Sequence, residues 1–203
     1  GAYITNTTPT IEFQVKDTDS GVNAGTIAIT VDGTAVSTVT KTAIDGGYKC
    51  TCTSPTLKDG SHTISVKASD NDGNAAAAKT ATFTVDTVPP TLQITAPSND
   101  LITNKKTVTV SGKTDDVSSK PVTVTVNGAT VTVGTDGTFT KDVTLVEGAN
   151  TITIVAKDKA GKTTTVTRKV TVDTSAPVIK SVTLTRNPVD CGKTFIIAVE
   201  ITD

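Results

Sequence analysis

The chain has 203 residues and a formal net charge of −1, with 19 lysines and arginines against 20 acids and a pI near 5.8. That balance excludes a phosphate-binding face, which needs clustered Lys and Arg; only two arginines occur, Arg168 and Arg186, and the lysines are scattered singly. No run of about 18 apolar residues is present, so nothing reads as a membrane-spanning helix.

Residue choice sets the class. There are about 45 threonines, many valines and isoleucines, and no Trp or Met. Side chains branched at Cβ are stiff and fit a pleated, half-buried surface. The four alanines at 75–78 are the only local helix signal, too short to nucleate a helix alone. The chain reads as all-β. Gly1 stands directly before the strand-like AYITN, so the sequence reads as a trimmed fragment and the lack of a signal peptide carries no information.

In chain order, PTIEFQV, GTIAITVDG and GGYKCTCTS are predicted strands, followed by HTISVKAS and KTATFTVD. Then comes VDTVPP at 85–90. After it, TLQITAP, KTVTVSG, PVTVTVNG, ATVTV and GTFTKDVTL are strands, followed by NTITIVAK and TVTRKVTVD, and VDTSAP at 172–177 closes the second run. Short strands with turn signals every 8–12 residues predict a sandwich or barrel. LKDGSHTISVKASDNDGN at 57–74 superimposes on LVEGANTITIVAKDKAGK at 145–162, a separation of 88 residues. Ile64, Val66 and Ala68 fall on Ile152, Ile154 and Ala156, apolar on one face of a period-two strand. A repeat of that length suits a sandwich of about seven strands.

The boundaries predicted are 1–88 for module one, 89–175 for module two, and 176–203 for a partial third module or hairpin. Pro89, Pro90 and Pro177 remove N–H donors and fix φ at the seams, which predicts short, stiff joints. In 176–203, Phe195, Ile197, Val199 and Ile201 would form a bare apolar stripe, expected to pack on module two or on a neighbouring chain.

DSGVNAGTIAITVDG at 19–33, with the 57–74 segment and VDTVPP, resembles the bacterial immunoglobulin-like (Big-type) domains that form tandem arrays; LVEGANTITIVAKDKAGK with VDTSAP is similar to the same group. The resemblance covers about 1–175. It implies two tandem immunoglobulin-like β-sandwiches, and an extracellular spacer or stalk on a bacterial surface, in a secreted protein or on a phage particle. It implies no catalysis. Cys50 and Cys52 depart from the pattern, and the first strand of module one is expected to be missing. Implied partners are neighbouring domains of the parent protein, with a cell-surface protein or glycan as the adhesive alternative. An accessory domain of a secreted enzyme is the third reading. No nucleic acid and no membrane insertion are expected.

Candidate chemistry is sparse. Three GKT tripeptides begin at Gly112, Gly161 and Gly192. A phosphate-binding loop needs a glycine five residues earlier, where Thr107, Ala156 and Asn187 stand, so these are turn-to-strand junctions. His62 is the only histidine; Asn150 holds its place in the repeat, so a turn-bonding role is expected. Cys50 and Cys52, at i and i+2, share one strand face and suit packing, and Cys191 leaves an odd number. A lysine–asparagine cross-link is not expected with only four phenylalanines. The acidic turns are the best candidates. Asp17 and Asp19, with Asp70 and Asp72, lie in loops expected at one end of module one, where carboxylates could bind calcium. Asp115, Asp116 and Asp158 form the equivalent end of module two, facing the seam after Asp86. Lys157, Lys159 and Lys162 crowd that loop. No other cofactor is expected.

Overall fold

A computed structural model describes residues 1–183 and 198–202. All its regular elements are strands. The first eight are β1 (Ala2–Ile4), β2 (Thr10–Lys16), β3 (Val22–Val31), β4 (Thr34–Ala35), β5 (Thr40–Ile44), β6 (Gly47–Thr53), β7 (Gly60–Asp70) and β8 (Lys79–Val85). They form two sheets, ordered β1-β8-β7-β3-β4 and β2-β6-β5. The next eight are β9 (Thr91–Ala96), β10 (Leu101–Thr103), β11 (Thr107–Asp115), β12 (Thr123–Val126), β13 (Ala129–Val131), β14 (Thr138–Thr144), β15 (Gly148–Lys157) and β16 (Thr163–Val172). Their sheets run β10-β16-β15-β12-β13 and β14-β11-β9.

Period two drives the burial. In β15, Ile152, Ile154 and Ala156 are fully buried while Thr151 and Lys157 are exposed. These residues meet Val124, Val126, Val170 and Val172 of their own sheet and Val110 and Phe139 of the facing one. Each such aliphatic side chain contributes about 1.5–3 kcal/mol on burial. The hairpins between paired strands are also sequence-coded. Asp32-Gly33 and Asn127-Gly128 have φ of 50° and 79°, and 48° and 80°. Positive φ at both central residues is the tight turn that matches strand twist, and Asp-Gly and Asn-Gly favour it.

Module one divides its core. Ile11, Ile29, Cys52, Leu57, Phe83 and Val85 form one cluster, and Val22, Ile27, Cys50 and Ala68 another. Cys50 and Cys52 are buried thiols on one face of β6, opposite Phe13 and Ile11 of β2. Burial pushes both thiols up in pKa; Lys41 opposes this at Cys50, and Cys50 adds to it at Cys52. Cys191 lies outside the described residues. The alanine run forms no helix: Ala75 bridges Ser69 and the Ala76 N–H donates to the Ala68 carbonyl at 2.9 Å.

β1 pairs in parallel with β8 as β10 pairs with β16. Module two adds β9 on the outer edge of β11; in module one β2 pairs with β6 alone among the described residues. β17 (Val178–Thr183) and β18 (Ala198–Thr202) form a separate antiparallel pair. Among the described residues they pair only with each other. Val178, Ile179 and Val199 are exposed, and Phe195 and Ile197 fall outside the described residues.

Candidate metal centre at the module seam

Asp86 is the first residue after β8. Its N–H donates to the Ile4 carbonyl at 2.9 Å, which fixes it to the sheet of module one. Its side chain is nonetheless fully buried, because module two covers it. Asp86 Oδ1 accepts the Val88 N–H at 3.1 Å, and the Ser119 hydroxyl of module two donates to Oδ2. Thr87 is held from the other side by Asp59, whose Oδ1 accepts its N–H at 3.1 Å. Pro90 is buried, and its carbonyl accepts from the Thr164 hydroxyl. Lys159 Nζ stands 5.5 Å from the centre of the Tyr3 ring. Hydrogen bonds and burial, beyond proline stiffness, define the joint.

Module two supplies two further carboxylates. Asp116 follows β11, and its Oδ1 accepts the N–H groups of Ser118 at 2.8 Å and Ser119 at 2.7 Å. Asp158 follows β15, and its Oδ1 accepts the Lys162 N–H at 2.8 Å. Asp158 Oδ2 is buried without a hydrogen-bond partner. One carboxylate oxygen from each of Asp86, Asp116 and Asp158 lies within 4.8 Å of the other two, and all three residues are buried. Among the described residues none of the three forms an ion pair. Asp115 does not join them; it is exposed and paired with Lys120 at 2.8 Å.

The module-one acids are arranged differently. Asp17 Oδ2 accepts the Gly21 N–H at 2.6 Å. Asp70 accepts the Asn74 N–H at 2.7 Å on Oδ1 and the Asn74 amide at 2.8 Å on Oδ2. The Asn74 side chain is the main cause holding the Asp70 carboxyl below its ordinary range. Asp19 and Asp72 are exposed. No three of these four bring oxygens within 4.8 Å of one another. Two substitutions separate the loops. The Asn71 N–H meets the Gly21 carbonyl as the Lys159 N–H meets that of Ser119, so a glycine stands where module two has a hydroxyl. Asn74 stands where module two has Lys162, whose side chain leaves the second aspartate oxygen free. Ser119 escaped sequence reasoning; its alignment with Gly21 is the signal that marks it.

His62 lies near the start of β7, opposite Phe83 of β8. Its Nε2 is 2.8 Å from the Lys58 carbonyl, as Asn150 Nδ2 is from Val146. Its Nδ1 is 2.6 Å from Asp32 Oδ2. Two acceptors suit the doubly protonated ring, which alone carries two N–H donors. Burial disfavours that charge, but the Asp32 hydrogen bond, the Lys58 carbonyl and the Asp32 charge outweigh it and raise the pKa above 6.5. The His62 hydrogen bond and the Thr63 N–H hold Asp32 below 3.8, against a smaller opposing effect of burial. The raised histidine contributes stability that is complete below its unfolded pKa and is lost as pH rises through the folded value. The depressed aspartate contributes stability that is present above its unfolded pKa and is lost as pH falls through the folded value. Module one is therefore expected to be most stable between about pH 4 and 6.5 and to weaken above. Urea midpoints across this range test it, with His62→Asn expected to flatten the alkaline limb.

A groove of about 650 Å³ in module two is lined by Lys113, Asp115, Lys120 and Asp136 among others, and has no aromatic ring in its wall. Sugar stacking has no platform there.

Residues 2–87 match the family described as bacterial Ig-like domain, and residues 90–174 match that described as glucodextranase, domain B. The chain is a tandem of immunoglobulin-like domains, each covered by one of these two matches. Bacillopeptidase F of Bacillus subtilis (strain 168) is 32% identical over 155 residues, which is 76% of this chain; the chain spans 10% of that protein's length. Among solved structures, the titin I-band fragment I67–I69 aligns with TM-score 0.51 at 13% identity, over 89% of this chain and 65% of that one. An E-to-A variant of the same fragment aligns with TM-score 0.51 at 12% identity, over 89% and 64%. At that identity the likeness is one of fold.

Proposed function

We propose that this chain is a non-catalytic spacer of a bacterial extracellular protein, holding neighbouring domains of its parent polypeptide at a set separation. One observation carries the reading: Asp86, anchored in the sheet of module one, is fully buried by module two and bonded to Ser119. A joint bridged by a buried hydrogen bond from one module to the next resists bending more than a bare linker does. The family of module one supports an extracellular setting. The partial likeness to Bacillopeptidase F supports a second reading, an accessory segment of an extracellular peptidase. Both readings give the chain the same mechanical task.

Small-angle scattering with light scattering on the whole chain tests the spacer. The expected result is an elongated monomer of one fixed maximum dimension. A compact particle, a dimer, or a broad spread of dimensions contradicts it.

A further inference from the structure

We infer that Asp86, Asp116 and Asp158 form a binding site for one hard divalent cation of the calcium type, shared between the two modules. This goes beyond the spacer reading, which requires only that the modules dock. Three carboxylates sit within 4.8 Å of one another in a buried site, with no ion-pair partner among the described residues. Burying like charges together is costly unless a cation compensates. Asp158 Oδ2 points to the ligand independently. It belongs to a side chain only 5% exposed, and it has no hydrogen-bond partner. A buried acceptor left unmade is expensive. Its twin, Asp70 Oδ2, is satisfied by Asn74, so the unpartnered oxygen is specific to the seam.

The donor set selects the ion. All three ligands are carboxylate oxygens, with no imidazole or thiolate, which suits a hard cation over zinc or copper. Calcium accepts six to eight oxygens in adaptable geometry, whereas magnesium demands a near-ideal octahedron. Ligands on two separate modules favour the adaptable ion. The Ser119 hydroxyl lies between two of the carboxylates, donating to Asp86 Oδ2 and standing 3.5 Å from Asp116 Oδ1, and the Ser118 and Ser119 N–H groups position Asp116.

Ownership of the site is divided. Asp86 ends one module, and Asp116 and Asp158 cap the next, so neither module holds it alone. Asp173 repeats the Asp86 arrangement: its N–H donates to the Thr103 carbonyl at 2.9 Å as that of Asp86 does to Ile4. Occupancy would therefore couple the orientation of consecutive modules to the cation concentration outside the cell.

The test is calorimetric titration of the whole metal-stripped chain with Ca²⁺ and then Mg²⁺, alongside Asp158→Asn and Asp116→Asn. One calcium per chain is expected, bound at least about tenfold more tightly than magnesium, and weakened at least about tenfold by either variant. If a variant fails to fold, amide shifts of the unaltered chain on adding Ca²⁺ decide. They should cluster at Asp86, Asp116, Ser119 and Asp158. Absence of heat and shifts in millimolar Ca²⁺, unchanged binding in both folded variants, or shifts centred on Asp70 and Asp72, would overturn the site. A cation-independent elongated particle with no calcium binding would discard the site and leave the spacer. Calcium binding at these residues by a particle that bends freely only when metal-free would discard the built-in stiffness of the spacer and leave the site.

Discussion

Ile154→Ala is expected to lower the unfolding free energy of module two by about 2–5 kcal/mol. Ile154 is fully buried, opposite Val126 on β12 and Val166 on β16. It belongs to the cluster that joins Val110 and Phe139 of the facing sheet. Neighbours pinned in two hydrogen-bonded sheets close only partly over the lost atoms, so a cavity remains. The readout separates the modules. The two tyrosines, Tyr3 and Tyr48, lie in module one, and the chain has no tryptophan. In urea the backbone circular dichroism should gain an early transition while tyrosine emission keeps its midpoint. An unchanged dichroism curve would place Ile154 outside any core.

Gly112→Ala is the second large effect. Gly112 lies in β11, opposite Phe139 of β14, at the irregularity where β9 meets β11. An added Cβ would strike the Gln93 carbonyl, stand 2.8 Å from Phe139 Cζ and 3.2 Å from Ile94 Cδ1. The ring can turn, but the carbonyl belongs to the sheet and cannot yield without moving β9. Overpacking of this kind costs about 1–3 kcal/mol or more. β9 is the first strand after the seam, so its amides should lose exchange protection first. Gly128→Ala is the control. Nothing lies within 4 Å of its added Cβ, and its φ of 80° alone costs about 1–2 kcal/mol. Equal melting temperatures, or a milder effect at Gly112, would contradict the close approach.

The repeat was the most legible part of the sequence. Ile64, Val66 and Ala68 over Ile152, Ile154 and Ala156 fix both period and face, since a slip of one residue would turn each strand inside out. Asp-Gly and Asn-Gly mark their hairpins because few other pairs tolerate positive φ. Strands β4 and β10 were not legible. β4 has two residues and β10 three, too few to display alternation, and β10 exists only through its parallel pairing with distant β16. The seam was half legible. Asp86, Asp116 and Asp158 were visible as acids at the right loops, but Asp115 was indistinguishable from Asp116 until Lys120 drew it to the surface. Asp17 and Asp70 carry the same chemistry as their module-two counterparts. The differences at Gly21 and Asn74 acquire meaning only when side-chain hydrogen bonds are traced.

Fixed alignment of the two modules is the central claim, and residual dipolar couplings measure it most directly. The amide couplings of the isotope-labelled whole chain would be fitted separately for β2–β8 and β9–β16. A stiff seam predicts one alignment tensor, equal in magnitude and orientation for both modules. Two tensors of clearly different magnitude would mean that the modules move independently and that the spacer account is wrong.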